Sequence, residues 1–93
     1  MVDEGSAYRY ERVPHVERRL SGGRRLVQAV GSENPTQLAG SAPLIWDLLV
    51  DFPIAEQLAV ELQRQFSDPP EVIAAGVEAG LRSLIDASLV VAT

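Results

Sequence analysis

The sequence lacks several residues on which protein chemistry often depends. None of its 93 residues is a cysteine, so it has no disulfide, no thiolate nucleophile and no cysteine metal site. It also has no lysine, and every basic side chain is an arginine. The single histidine, His15, has no sequence neighbour at metal-ligand or triad spacing, and we predict a structural or surface role for it. We therefore expect no catalytic residues, no metal and no cofactor.

Long apolar runs are missing as well. Asp47 interrupts the run around Trp46, and Asp86 interrupts the last one, so no stretch reaches the ~20 residues that span a membrane. The first residues include Asp3 and Glu4 and lack the apolar centre of a signal peptide. We predict a cytoplasmic protein without a membrane partner. We also predict that Trp46 belongs to the core.

Charge is distributed unevenly over the chain, whose net charge is −5. Residues 1–40 contain six arginines and five acids, whereas residues 41–93 contain two arginines and eight acids. Phosphate contacts dominate affinity for nucleic acids, so an acidic second half disfavours DNA or RNA as a partner. The length fits one domain with a single core.

Strand signals are confined to the first half. We interpret residues 1–13 as a flexible tail, although the alternation in residues 8–13 also fits an extended segment that adds to the sheet. Residues 15–20 and 24–30 flank a Ser-Gly-Gly turn, which predicts a β-hairpin. A third short strand follows at residues 36–39, and Pro35 before it favours an exposed edge.

Helical spacing of apolar residues takes over in the second half. We predict helices over residues 41–52, 54–66 and 68–88, with Ser41 and Asp68 as N-caps of the first and third. Three strands followed by three helices indicate an α+β winged helix-turn-helix fold, with a small three-stranded antiparallel sheet, over residues 14–93.

The third predicted helix carries a strip of small residues beside its apolar face. Gly76 and Gly80 each cost about 1 kcal/mol against alanine, which indicates that another part of a chain approaches closely there. Together with the edge strand, the strip would form a groove for an extended peptide. Two simpler interpretations stay open: the strip seats the protein's own chain, or it seats a second subunit.

Three stretches resemble the PqqD-like family. Residues 38–49 (Leu-Ala-Gly-Ser-Ala-Pro-Leu-Ile-Trp-Asp-Leu-Leu) resemble its first helix, in which small residues precede an Ile-Trp pair and two leucines. Residues 55–66 are similar to its second helix, and residues 68–90 are similar to its third helix and terminus. The resemblance covers residues 16–91.

This resemblance implies a RiPP recognition element, a domain that binds the leader of a ribosomally synthesised precursor peptide in natural-product biosynthesis. The leader would be an added strand between the third strand and the third helix. The domain would then deliver the precursor to a maturation enzyme such as a protease, a cyclase or a radical enzyme. The implied peptide-binding residues are Thr36, Gln37 and Leu38 on the strand and Val72, Ile73, Gly76, Val77, Gly80 and Ser83 on the helix.

Two alternative functions remain open on the residues alone. A winged-helix nucleic-acid-binding regulator would use the arginines near the hairpin, but the third predicted helix is acidic and we expect no nucleic acid. A dimerisation or scaffold module would use the glycine strip as a contact between two helices of different subunits.

Overall fold

The computed structural model of the chain describes residues 8–93. It contains a three-stranded antiparallel sheet and three helices, so the predicted α+β winged helix-turn-helix plan is confirmed. A two-stranded ribbon, which the sequence did not predict, adds to this plan. In chain order the elements are β1 (Tyr10–Arg12), β2 (His15–Arg19), a 3-10 turn (Ser21–Gly23), β3 (Arg25–Ala29), β4 (Thr36–Leu38), α1 (Ala42–Leu48), α2 (Ala55–Gln65), α3 (Pro70–Asp86) and β5 (Val90–Ala92).

The sheet has the strand order β2-β3-β4. Its first two strands form the predicted hairpin, with Arg19 opposite Arg25 and the turn between them. Gly22 in that turn has φ 78°, a conformation that glycine adopts without steric cost. β4 pairs with β3 and lies at the edge of the sheet, as Pro35 predicted.

The β1–β5 ribbon joins the two ends of the described chain. Tyr10 lies opposite Ala92, and Arg9 and Thr93 exchange two backbone hydrogen bonds of 3.1 and 2.8 Å. The flexible-tail interpretation is therefore wrong for Tyr10–Arg12, which is extended as in the alternative but pairs with β5 and not with the three-stranded sheet. For residues 1–7, which lie outside the described residues, it stays a prediction.

One hydrophobic core lies between the sheet and the helices. Val27 and Leu38 reach it from the sheet, and Trp46 is fully buried within it, which confirms the core prediction for this tryptophan. The last apolar residues also reach it, through Leu89 and Val90. The remaining buried residues come from the three helices: Ala42, Ile45, Leu49, Leu58, Leu62, Ile73, Val77, Leu81 and Leu84.

The predicted N-cap of α3 is wrong, and the predicted N-cap of α1 is right in position but makes no cap hydrogen bond. α3 begins at Pro70, because a residue before proline is disfavoured in the helical region, and Pro69 is extended with ψ 148°. Asp68 therefore stands too early to cap α3. Ser41 does precede α1, but its backbone is already helical and its side chain makes no cap hydrogen bond.

Candidate functional site

The small-residue strip of α3 is occupied at Gly80 by α1. A Cβ atom at Gly80 would lie 2.8 Å from Ile45 Cγ1 and 3.0 Å from Ser41 Oγ. Real Cβ atoms do not approach other atoms so closely, so only glycine fits here without a shift of α1. The close approach that the glycines predicted thus exists, and the neighbour at Gly80 is a helix of the same chain.

One turn earlier the strip is open. A Cβ atom at Gly76 would meet nothing within 4 Å. Val72 and Ser83 are exposed and, at about 100° per residue, point to the same side of α3 as Gly76. These three residues, Val72, Gly76 and Ser83, form an accessible surface that we call the α3 strip.

The outer edge of β4 has no strand partner within residues 8–93. Along it Thr36 is half-buried, Gln37 is exposed and Leu38 is buried, so alternate side chains point into the protein. The opposite edge of the sheet, β2, carries charged residues, including Arg18 and Arg19, which is how proteins protect an edge from pairing. β4 has no such charge and is the edge better suited to accept another strand.

A hydrogen bond brings the end of β4 next to α3. Ser41 lies three residues after Leu38, and its hydroxyl donates to the Gly76 carbonyl over 3.0 Å. The segment between β4 and α1 therefore lies against α3 at Gly76. A strand added to β4 beside this contact would have Val72 and Ser83 available as side-chain contacts.

The nine residues that the resemblance implied divide into two groups. Ile73 and Val77 are only 6% and 3% exposed and belong to the core, as do Leu38 and Gly80 through their own contacts. The accessible ones are Thr36, Gln37, Val72, Gly76 and Ser83. Of the nine residues, five are therefore accessible on β4 and α3, and four are buried in the core.

The profile of the family described as Coenzyme PQQ synthesis protein D (PqqD) matches residues 20–90. The chain belongs to the PqqD family. This match contains β3, β4 and all three helices, and it confirms the predicted resemblance. No curated protein and no solved structure matches the chain significantly.

Members of the PqqD family are non-catalytic accessory binding proteins. Membership indicates a peptide-binding partner protein associated with PQQ or RiPP biosynthesis. Within residues 8–93, no group of three or more histidine, cysteine or acidic side chains is placed to hold a metal ion. No helix among the same residues is long and apolar enough to cross a membrane.

An ion cluster around a buried arginine connects the sheet of this PqqD family member to α1. Arg25 is 7% exposed and donates to Asp47 over 2.6 and 3.0 Å and to Glu17 over 3.1 Å. The hydrogen bonds to Asp47 raise the pKa of Arg25 above its ordinary value against the opposing effect of burial, so this guanidinium stays charged. Trp46 Nε1 also donates to Glu17, over 3.0 Å.

The alternation of residues in β3 is a sequence signal for this cluster. Arg25 has the same parity as Val27 and Ala29, so a strand places it on the core face with them. An arginine on such a face needs carboxylate partners, because a buried unpaired charge is strongly unfavourable. Glu17 and Asp47 supply them from β2 and α1.

Of the two predicted roles, His15 has the structural one. Its ring lies 4.7 Å from that of Trp46 in an edge-to-face arrangement, and its Nδ1 lies 2.8 Å from the Val13 carbonyl. Arg12 covers another part of the same indole, with its guanidinium carbon 4.6 Å from the ring centre. Trp46 thereby connects β1 and β2 to α1.

An apolar cleft of about 570 Å³ lies between α2 and α3, on the other flank of α3 from the α3 strip. We call it the α2–α3 cleft. Its apolar lining includes Ile85, which is 39% exposed. The full set of lining residues is Tyr10, Ala55, Glu56, Ala59, Ala74, Val77, Glu78, Leu81, Arg82, Ile85 and Asp86.

Proposed function

We propose that this protein binds the leader segment of a ribosomally synthesised precursor peptide as a strand added to β4. The bound precursor would then be delivered to a maturation enzyme: a protease, a cyclase or a radical enzyme. The protein itself contributes no catalysis and no cofactor in this proposal, and it acts in the cytoplasm. The observation that carries the proposal is the free, uncharged edge of β4 beside the accessible α3 strip.

Main-chain hydrogen bonding supports the strand mode of binding. An edge strand presents backbone N–H and C=O groups that a guest strand can pair with at little cost. Charged side chains on β2 disfavour pairing at the other edge, which directs a guest to β4. Family membership over residues 20–90 supports a peptide as the guest, because this match includes both β4 and α3.

The α3 strip supplies room for alternate side chains of the guest. Gly76 has open space where a side chain would stand, and Val72 is 53% exposed, so an apolar side chain of the leader can rest there. In this arrangement Ile73, Val77 and Gly80 hold α3 in place from below and do not touch the peptide. The contact residues of the proposal are Thr36, Gln37, Val72, Gly76 and Ser83.

Fluorescence anisotropy with labelled leader peptides tests the proposal. The peptides come from short precursor-like reading frames that neighbour the gene. We expect saturable binding at tens of micromolar or below. Val72→Glu should weaken it by about tenfold, because a charge would be placed against an apolar contact. Val60→Glu is the matched control, since Val60 on α2 is similarly exposed, at 59%.

Backbone N-methylation of the peptide separates strand addition from other modes. Only every second N–H of an added strand points to its neighbour, so methylation of one alternate set should abolish binding and methylation of the other should not. Equal effects of the two sets would show that the leader does not bind as a strand. If Val72→Glu and Val60→Glu changed the affinity for the leader equally, α3 would not be part of the binding site.

A further inference from the structure

We propose that the α2–α3 cleft is a second docking site, which takes a basic amphipathic helix of a partner protein. This inference goes beyond leader binding and does not depend on it. The cleft is distinct from the proposed leader site: at about 100° per residue, Ala74 and Ile85 lie on the opposite side of α3 from Val72 and Ser83.

The floor of the cleft is formed by apolar side chains, and several of them are small, which leaves the cleft open. Ala55 and Ala59 on α2 are one turn apart and line the cleft together with Ala74 on α3. Leu81 and Ile85 continue the floor toward the end of α3. Such a floor recognises apolar side chains, and it is long enough to take several of them along two adjacent helices.

The backbone of the cleft walls decides which secondary structure the guest has. Apart from Tyr10, the lining residues lie on α2, which begins at Ala55, and on α3, whose main-chain N–H and C=O groups are paired within each helix except in the terminal turns. The cleft therefore offers no ladder of main-chain partners to an extended peptide, in contrast to β4. A guest that buries its own backbone here must satisfy its own hydrogen bonds, which favours an amphipathic helix.

The rim of the cleft determines the charge of the guest. Glu56, Glu78 and Asp86 stand around it with Arg82 as the one basic residue. None of these four side chains forms a salt bridge within residues 8–93. Three free carboxylates beside an apolar floor complement lysine or arginine on the polar face of a helix, and they would repel an acidic guest.

A labelled synthetic helix serves as the probe. It has leucine at positions i, i+3, i+4 and i+7 of each repeat and lysine at the exposed positions. We expect saturable binding that weakens as salt is added. A peptide of the same composition with its leucines spread around the helix should bind at least about tenfold more weakly, as should a helix with glutamate in place of lysine.

A charge-reversed protein and a matched control locate the binding. Glu78→Lys combined with Asp86→Lys should weaken binding of the basic helix by about tenfold. Glu33→Lys combined with Asp51→Lys changes the net charge equally at two exposed turn positions and should leave binding unchanged. Circular dichroism of both double variants establishes that they are folded.

Three outcomes would overturn the proposal. The first is binding of the scrambled and amphipathic peptides with the same affinity, or of neither. The second is the same loss in both double variants, which would reduce the effect to net charge. The third is a concentration-dependent dimer of the wild-type protein that Glu78→Lys with Asp86→Lys abolishes, since the cleft would then accept a second copy of the chain.

Discussion

Small residues lie on both flanks of α3, but they accompany a closed contact on one flank and an open cleft on the other. On the flank toward α1, Gly80 leaves no space, because the Ile45 side chain already lies where a Cβ atom would be. On the flank toward α2, Ala74 and Ala59 line an apolar cleft that remains open. The difference depends on the neighbouring residue: a large side chain opposite glycine closes a contact, whereas alanines on both helices leave a groove.

This contrast shows that a small-residue pattern on one helix does not by itself predict a binding groove. Gly76 and Gly80 together suggested a binding surface for a guest strand. At Gly80, however, α1 of the same chain already occupies the space. Ala55, Ala59 and Ala74 line the α2–α3 cleft. Alanine is common in helices because of its high helix propensity, so its presence there does not indicate a cleft. Stability measurements on the two flanks can sharpen or break this comparison.

The largest effect is expected for Gly80→Leu. The added side chain has to displace Ile45 or move α1, and overpacking of this kind costs about 3 kcal/mol or more of unfolding free energy. This substitution would therefore unfold part of the protein before it could test a peptide groove. Urea unfolding followed by circular dichroism measures the loss.

Gly76→Ala is the control for that experiment, one turn away on the same helix. Its Cβ meets nothing within 4 Å, so the gain in helix propensity should stabilise the protein by about 0.5–1 kcal/mol. We infer that the small-residue strip is closed at Gly80 and open at Gly76. A destabilised Gly76→Ala variant, or a Gly80→Leu variant as stable as the wild type, would contradict this.

An intermediate effect is expected for Ser41→Ala. The substitution removes the hydroxyl that donates to the Gly76 carbonyl, a partly buried hydrogen bond worth about 1 kcal/mol. Ser83→Ala, on the exposed side of α3, provides the control and should be neutral or slightly stabilising. If the two serines behave alike in urea unfolding, the bond does not anchor the corner between β4 and α3.

The smallest effect is expected on the open flank. Ala74→Leu adds a side chain that can lie in the cleft against α2, and we expect a gain of about 0.5 kcal/mol relative to Ala75→Leu. Ala75 is the neighbouring exposed position and points to solvent. Thermal unfolding of both variants checks this, and a destabilised Ala74→Leu variant would mean that the cleft is closed in solution.

Local patterns predicted most of the fold. The glycine turn and its flanking apolar residues placed the hairpin. Helical spacing of apolar side chains placed α2 and α3 within two residues at each end, whereas α1 ends at Leu48, four residues before the predicted end. The N-cap of α3 was misplaced because Pro70 disfavours a helical backbone at Pro69, which becomes the cap in place of Asp68. Ser41 stands at the N-cap of α1 as predicted, but its helical backbone angles leave it without a cap hydrogen bond. The edge position of β4 followed from Pro35, and it is the part of the site that the sequence predicted best.

Contacts between distant residues were the part that the sequence left open. β1 pairs with β5, which lies at the other end of the described sequence. No turn or repeat in either strand predicts this pairing. The neighbour of Gly80 depends on where α1 crosses α3, which no local pattern specifies. Arg25 differs from these, because its position on the core face of β3 was readable and only its carboxylate partners required the fold.

The surroundings of Trp46 give the protein an optical reporter of its own. Trp46 is the only tryptophan, and Arg12 from β1 and His15 from β2 both lie against its ring. Release of β1 would remove Arg12 and admit water to a fully buried indole, shifting its emission to longer wavelength. Fluorescence of this one ring therefore follows docking of the N-terminal strands, whereas circular dichroism follows the helices, and the two signals together show whether the molecule opens in one step or in two.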